Sequence, residues 1–194
     1  MRPLSLLLIL FLCTPTYAQK APQSGTFGFR ADLLQHSVAM PGLKRAFTPF
    51  APGLRLGVVR HGRTGRVSEW RQQALVGFYR HPQLQDAFML GAEVAYRAKL
   101  GPAFLGFSGG PGYMLQLPHA PVYRYQDGRY VRALQALHRI TVQLAAEVGW
   151  RFANGWEANL RFEEMFEYPY GLNGSPVLPH RLLAAGLHLP LTTN

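Results

Sequence analysis

Nucleophilic chemistry needs a hydroxyl or thiol beside a base, with a third group holding the base in place. In this sequence the groups that could supply it are Ser37, its neighbour His36, and the distant His138 and His180. On an extended chain His36 and Ser37 point to opposite faces and cannot pair with each other. The three roles would have to be filled from separate elements, and a plain surface role for these residues is the stronger reading. Glu163 and Glu164 are adjacent in the same way, so they do not form a general acid/base pair. Seven histidines are scattered without an HxH or HxxxH pair, and neither a metal nor a cofactor is expected. The stretch Pro121 to Arg132 interleaves Tyr123, Tyr125 and Tyr130 with Arg124, Arg129 and Arg132. Rings and guanidinium groups in alternation suit stacking on sugars and pairing with phosphates, although a solvated basic loop has the same composition.

The elements that carry these residues are legible from hydrophobic period. From His138 to Phe152, Ile140, Val142, Leu144, Ala146, Val148, Trp150 and Phe152 alternate with Arg139, Thr141, Gln143, Ala145, Glu147, Gly149 and Arg151. The same period of two returns from Trp156 to Tyr168, across an Asn154-Gly155 turn, which is a strong hairpin signal. If that turn is the centre of the hairpin, residue i faces about 309 − i, which puts Glu147 opposite position 162 with Arg161 as its nearest inward neighbour. Spacings of three and four between Tyr130 and Val148 also permit a helix; alternation favours a strand from His138 onward and leaves a helical turn open for Val131 to Leu137.

Six further alternating runs are found: Thr26 to Gln35, Leu54 to His61, a weaker run around Trp70 to Phe78, Ala87 to Leu100, Ala103 to Leu117, and His180 to Leu191. Pro/Gly-rich stretches separate them, of which Ser37 to Ala51, Pro118 to Leu137 and Tyr168 to Pro179 are long. Long and tight connections alternate by parity, apart from the short Pro82 to Asp86. Each strand puts apolar residues on one face and charged ones on the other. Strands this long, with a charged face, suit a closed barrel in lipid with its polar face inside. Seven of the ten acids, Asp32, Glu69, Glu93, Glu147, Glu157, Glu163 and Glu167, fall on predicted inner faces. With them go Arg30, Arg55, Arg71, Arg97, Lys99, Arg139, Arg151 and Arg161, and charges in a dry interior persist only when paired. The core of the network is expected to be Arg30, Arg71, Glu93, Arg97, Glu147, Arg151, Glu157, Arg161 and Glu163. Glu164 falls on the lipid side, where this register explains it worst. Trp70, Trp150 and Trp156 all lie beside tight turns and predict one aromatic girdle, with Tyr79, Tyr113, Phe166, Tyr168 and Tyr170 near the other.

Residues 1–18 read as a secretory signal peptide: a basic start, an apolar run and a small-residue exit at Ala18. Residues 19–25 form a leader and 26–191 the barrel domain. Cys13 lies within the signal and follows Leu12, which argues against lipidation. The uncharged stretch from Gly101 to Tyr123 is too rich in glycine and proline to span as a helix. A formal charge of +10 is dispersed along a secreted chain, which points to an anionic membrane surface rather than to nucleic acid.

Signal peptide, eight alternating runs and Asn-Gly turn together resemble the small outer-membrane β-barrel proteins of Gram-negative bacteria, including uncharacterised members common in Bacteroidota. The resemblance covers Thr26 to Leu191 and implies an all-β, eight-stranded antiparallel up-and-down transmembrane barrel in the outer membrane. It implies outer-membrane lipid and lipopolysaccharide as partners, together with the barrel assembly machinery; no oligomeric state follows from it. One departure is the ending His188-Leu-Pro-Leu-Thr-Thr-Asn194, where such chains usually carry a terminal aromatic. The function expected is non-enzymatic, structural or surface-ligand binding through the outer loops. Some eight-stranded barrels modify lipid A, and the alternative is such an enzyme built on His36, Ser37 and His138, although the His-x-Ser pattern of the lipid A deacylases is absent.

Overall fold

A computed structural model describes residues 25–38, 50–133, 136–169 and 177–191. The predicted signal peptide, most of the predicted leader and Tyr170 lie outside these residues. The described residues form ten strands: β1 (Phe27–Val38), β2 (Pro52–Thr64), β3 (Ser68–His81), β4 (Gln85–Leu100), β5 (Ala103–Pro118), β6 (Val122–Gln126), β7 (Arg129–Ala133), β8 (Leu137–Arg151), β9 (Glu157–Tyr168) and β10 (Leu178–Pro190). Eight of them close in the order β1-β10-β9-β8-β5-β4-β3-β2, each antiparallel to its neighbours, and β6 and β7 form a separate two-stranded sheet. Closure is made by β1 against β10, from Gly28 facing Pro190 to Val38 facing His180. Every barrel edge is thereby paired, as a bilayer requires of a sheet.

Burial alternates along the strands with the period of two that the sequence carries. Outward positions such as Phe29, Leu33, Val76, Leu90, Phe107, Val142, Leu160 and Leu187 are exposed, while Arg30, Asp32, Arg55, Arg71, Arg97, Glu147 and Arg161 are buried. An apolar wall around a charged interior is stable in lipid and unstable in water. Trp70 and Trp156 are exposed and Trp150 half-buried at the end of the barrel that holds the tight turns. Ser68 and Gln72, polar residues at positions of the third run that share a face with Trp70, are accommodated at that end: Ser68 is half-buried, and Gln72 accepts a 3.1 Å hydrogen bond from Arg60.

Three features depart from the sequence reading. First, β1 runs on to Val38, so Ser37 is a strand residue and not the start of a loop. Secondly, the long connection between β5 and β8 contains the β6–β7 hairpin, and Val131 belongs to a strand instead of a helical turn. Asp127 (φ 51°) and Gly128 (φ 79°) both occupy the left-handed region, the conformation of a two-residue type I′ turn. Thirdly, only Gly155 of the Asn154-Gly155 pair has positive φ (85°). Phe152 N–H donates to the Trp156 carbonyl at 2.8 Å, and Gly155 N–H to the Phe152 carbonyl at 2.9 Å. This is a three-residue loop with a left-handed glycine at its end. It moves the pairing by one residue, so that Glu147 stands directly opposite Arg161.

Candidate functional site

The lumen is filled from the end that holds the tight turns by one connected network. Glu157 sits at its base, gripped by both terminal nitrogens of Arg71 at 2.8 and 2.7 Å, by Arg97 at 2.6 Å and by Nε of Arg151 at 2.8 Å. Glu69 joins Arg71, Arg151 (3.0 Å) and His61 (2.9 Å) to it. Arg97 also bonds Glu147, whose other oxygen accepts from Arg30 at 3.1 Å. Arg30 continues to Asp32 at 2.8 Å and Arg55 bonds the same carboxylate at 3.0 Å. From Arg55 the path runs to Glu163 (2.7 Å), Arg161 (2.9 Å) and Glu93 (2.6 Å), with Ser108 bridging Arg161 and Glu93 at 3.0 Å each. Six arginines thus meet six carboxylates, all buried, and the formal charges cancel. Balance is what makes such a lumen tolerable, since a buried charge without a partner costs several kcal/mol.

Glycines on the inner face make room for the long side chains. A Cβ on Gly106 would lie 2.9 Å from the Glu147 side chain and 3.0 Å from that of Arg97. Lys99 is half-buried and donates to the Gly65 carbonyl at 3.0 Å. Asp32, Arg55, Glu69, His61 and Ser108 complete connections that the nine-residue core leaves open. Glu147 and Arg161 share the network and face each other, but each bonds other partners.

Above the charges lies an apolar layer of Leu34, Tyr79, Met89, Met114, Met165, Leu182 and Ala184. Above that, near the outer ends of the strands, is a chain of imidazoles. His36 Nε2 lies 2.9 Å from His180 Nδ1, and His180 Nε2 lies 2.8 Å from Glu167 Oε2. Glu167 also accepts from Gln116 at 2.7 Å and pairs with Arg139 at 2.9 Å. His36 is stacked on Tyr79, with ring centroids 3.8 Å apart. A carboxylate followed by two imidazoles can hold and relay a proton, but the relay needs a nucleophile at its end. Nδ1 of His36 has no hydrogen-bond partner among the described residues and is sealed beneath the Tyr79 ring.

Ser37 stands on the other side of the β1 strand, opposite Arg181. His138 is exposed on the outward side of β8 and shares a hydrogen bond with the Tyr113 hydroxyl. β10 and β9 intervene between β1 and β8, so roughly 14 Å of sheet separates them. The structure therefore does not bring His36, Ser37 and His138 together. Among the described residues no group of three or more His, Cys, Asp or Glu could hold a metal ion.

The aromatic residues of the outer hairpin are presented to solvent. Tyr123, Tyr125, Arg129 and Tyr130 are exposed, with Tyr130 at 74 %. Tyr125 faces Tyr130 across the two strands at 5.1 Å, and Tyr123 is in register with Arg132 as Arg124 is with Val131. Glu164, on the lipid side of β9, pairs at 3.0 Å with Arg181 of β10.

No protein-family model matches the sequence, and no curated protein is significantly similar to it. Solved structures with the same fold are found at low identity. Neisserial surface protein A is 11% identical over 85% of this chain and 97% of its own, with a TM-score of 0.57. Ail, the attachment invasion locus protein of Yersinia pestis, is 11% identical over 87% of this chain and 100% of its own, with a TM-score of 0.53; another structure of Ail holds the heparin analogue sucrose octasulfate. The outer-membrane enzyme PagL is 11% identical over 84% of this chain and 99% of its own, with a TM-score of 0.50. The greasy wall and charged interior place the chain in a bilayer, and its fold is that of small bacterial outer-membrane β-barrels.

Proposed function

We propose that this barrel is a non-enzymatic outer-membrane protein that binds a surface saccharide, such as the sugar–phosphate portion of lipopolysaccharide, through its β6–β7 hairpin. The observation that carries the reading is the exposure of Tyr123, Tyr125 and Tyr130 on a hairpin that also bears three arginines against one aspartate. Exposed rings offer stacking faces for sugar, and guanidinium groups offer forked donors to phosphate or sulfate. The sulfated sugar bound by Ail makes heparin a suitable probe alongside purified lipopolysaccharide. Titration of the detergent-solubilised protein with either probe is expected to give saturable binding. Replacing Tyr123, Tyr125 and Tyr130 together with Ala should weaken it by at least roughly tenfold, the equivalent of one or two lost stacking contacts. Unchanged affinity in that variant would refute the assignment to the hairpin.

A further inference from the structure

Arg60 on β2 and Gln72 on β3 stand on the outward face of the barrel among apolar neighbours, directly opposite each other. Arg60 Nη1 donates to Gln72 Oε1 at 3.1 Å; the other guanidinium nitrogens and the Gln72 amide nitrogen have no partner among the described residues. Trp70 lies two residues nearer the β2–β3 turn than Gln72, on the same face, and meets Tyr96 edge-on at 5.1 Å. Both rings are exposed, and an aromatic pair of this kind marks a membrane–water interface. Arg60 and Gln72 therefore stand at headgroup height at the end that holds the tight turns. The turn below them adds Arg63 and Arg66, both exposed. Among the described residues the only exposed acid is Asp127, on the hairpin at the other end. A groove of about 440 Å³ opens at Arg60 and Gln72 and continues past Val58, Ala74 and Ala92. Val58 and Ala74 lie farther from the turn on the same two strands, so the groove leads away from the interface into the apolar wall. Its floor is low because Ala74, Ala92 and Gly109 stand next to the larger Val76, Leu90 and Phe107 along β3, β4 and β5. Gln73 and Glu93 border it too, but their side chains turn into the lumen and bond Arg30 and Arg161, so no carboxylate faces the groove.

We propose that this groove is a binding site for an anionic glycerophospholipid of the phosphatidylglycerol type, in the leaflet nearest the tight turns. Arg60 and Gln72 hold its phosphate, and one acyl chain lies over Ala74 and Ala92. Head and tail then follow one another in the order in which a lipid of that leaflet presents them. Arg63 and Arg66 add to the local positive field, which favours a headgroup with net negative charge. A phosphoethanolamine or phosphocholine headgroup brings a cation for which this end offers no exposed carboxylate. Lipopolysaccharide, the proposed ligand of the β6–β7 hairpin, belongs to the opposite leaflet, so the two assignments are independent.

Native mass spectrometry of the barrel released from nanodiscs containing phosphatidylglycerol, phosphatidylethanolamine and phosphatidylcholine in equal amounts tests it. Wild-type protein should retain phosphatidylglycerol roughly tenfold over the other two, as expected for one charge-assisted hydrogen bond. Arg60→Gln should bring phosphatidylglycerol down to the level of the others. Replacing Arg63 and Arg66 together with Gln should lower it by no more than roughly threefold, because exposed charges in the turn are screened. Ala92→Phe, which fills the groove, should reduce retention of all three lipids. Equal retention by the wild type, a preference that survives Arg60→Gln, or an equal loss from the Arg63/Arg66 variant would overturn the proposal. Lipid A also carries phosphates and is offered to the Tyr123/Tyr125/Tyr130 variant, which lacks the hairpin site. It should leave phosphatidylglycerol in place, and displacement would assign the groove to lipid A instead. If Arg60→Gln fails to refold, as judged by its heat-modifiable gel mobility, the wild-type preference and its loss in Ala92→Phe decide.

Discussion

At the scale of single residues, the lumen is a ledger of charges that closes locally. Glu147 is bonded to Arg30 and Arg97 and is almost fully buried. Glu147→Ala strips a partner from two buried guanidinium groups at once, and a cost of about 3 to 5 kcal/mol is expected for uncompensated buried charge. Asp127→Ala, at the exposed tip of the outer hairpin, should change stability by less than about 1 kcal/mol. Urea unfolding in detergent, followed by gel mobility, will separate the two; equal effects would mean that the lumen is wet. Gly106 makes a steric counterpart. Gly106→Val would drive its side chain into Glu147 and Arg97, and the unfolding midpoint should fall by an amount typical of overpacking, about 1 to 3 kcal/mol.

At the scale of elements, the β6–β7 hairpin is a sheet of its own, and its turn depends on two residues in the left-handed region. Gly128→Val places a β-branched residue at a φ of 79°, which such residues avoid. The hairpin should lose protection in amide hydrogen exchange and the saccharide affinity should drop. The barrel's unfolding midpoint should stay where it is, because the eight barrel strands close without β6 and β7. A shift in that midpoint would show that the hairpin is part of the barrel's stability.

At the scale of the whole molecule, two successive plugs fill the interior: the arginine–carboxylate network and, above it, the layer of Tyr79, Met89, Met114, Met165 and Leu182. Eight strands leave a bore that side chains can fill, and an apolar layer across it denies ions a wetted path. Planar-bilayer recordings of the refolded protein are expected to show no stable single-channel steps; reproducible large conductances would contradict the filled lumen.

Which residues face lipid and which face the lumen could be read from the chain, because alternation is a local property of an extended backbone. The same period located all eight barrel strands and marked Arg30, Arg97, Glu147 and Glu163 as inward. The Asp127-Gly128 dipeptide between Tyr125 and Tyr130 was a legible hairpin signal, masked by competing helical spacing in the residues that follow. Pairing across distance was beyond what spacing can express. His36 meets His180 because β1 closes on β10, strands 144 residues apart in the chain at that contact. Glu157 gathers Arg71, Arg97 and Arg151 from β3, β4 and β8, and Glu164 finds Arg181 because β9 and β10 are in register. The one-residue move of the β8–β9 hairpin came from Ala153 joining the turn between Phe152 and Trp156, which the Asn-Gly dipeptide does not specify. Sequence period assigns each side chain to a face. Barrel closure and register then choose its partners, since those depend on the shear of the whole sheet rather than on any neighbour along the chain.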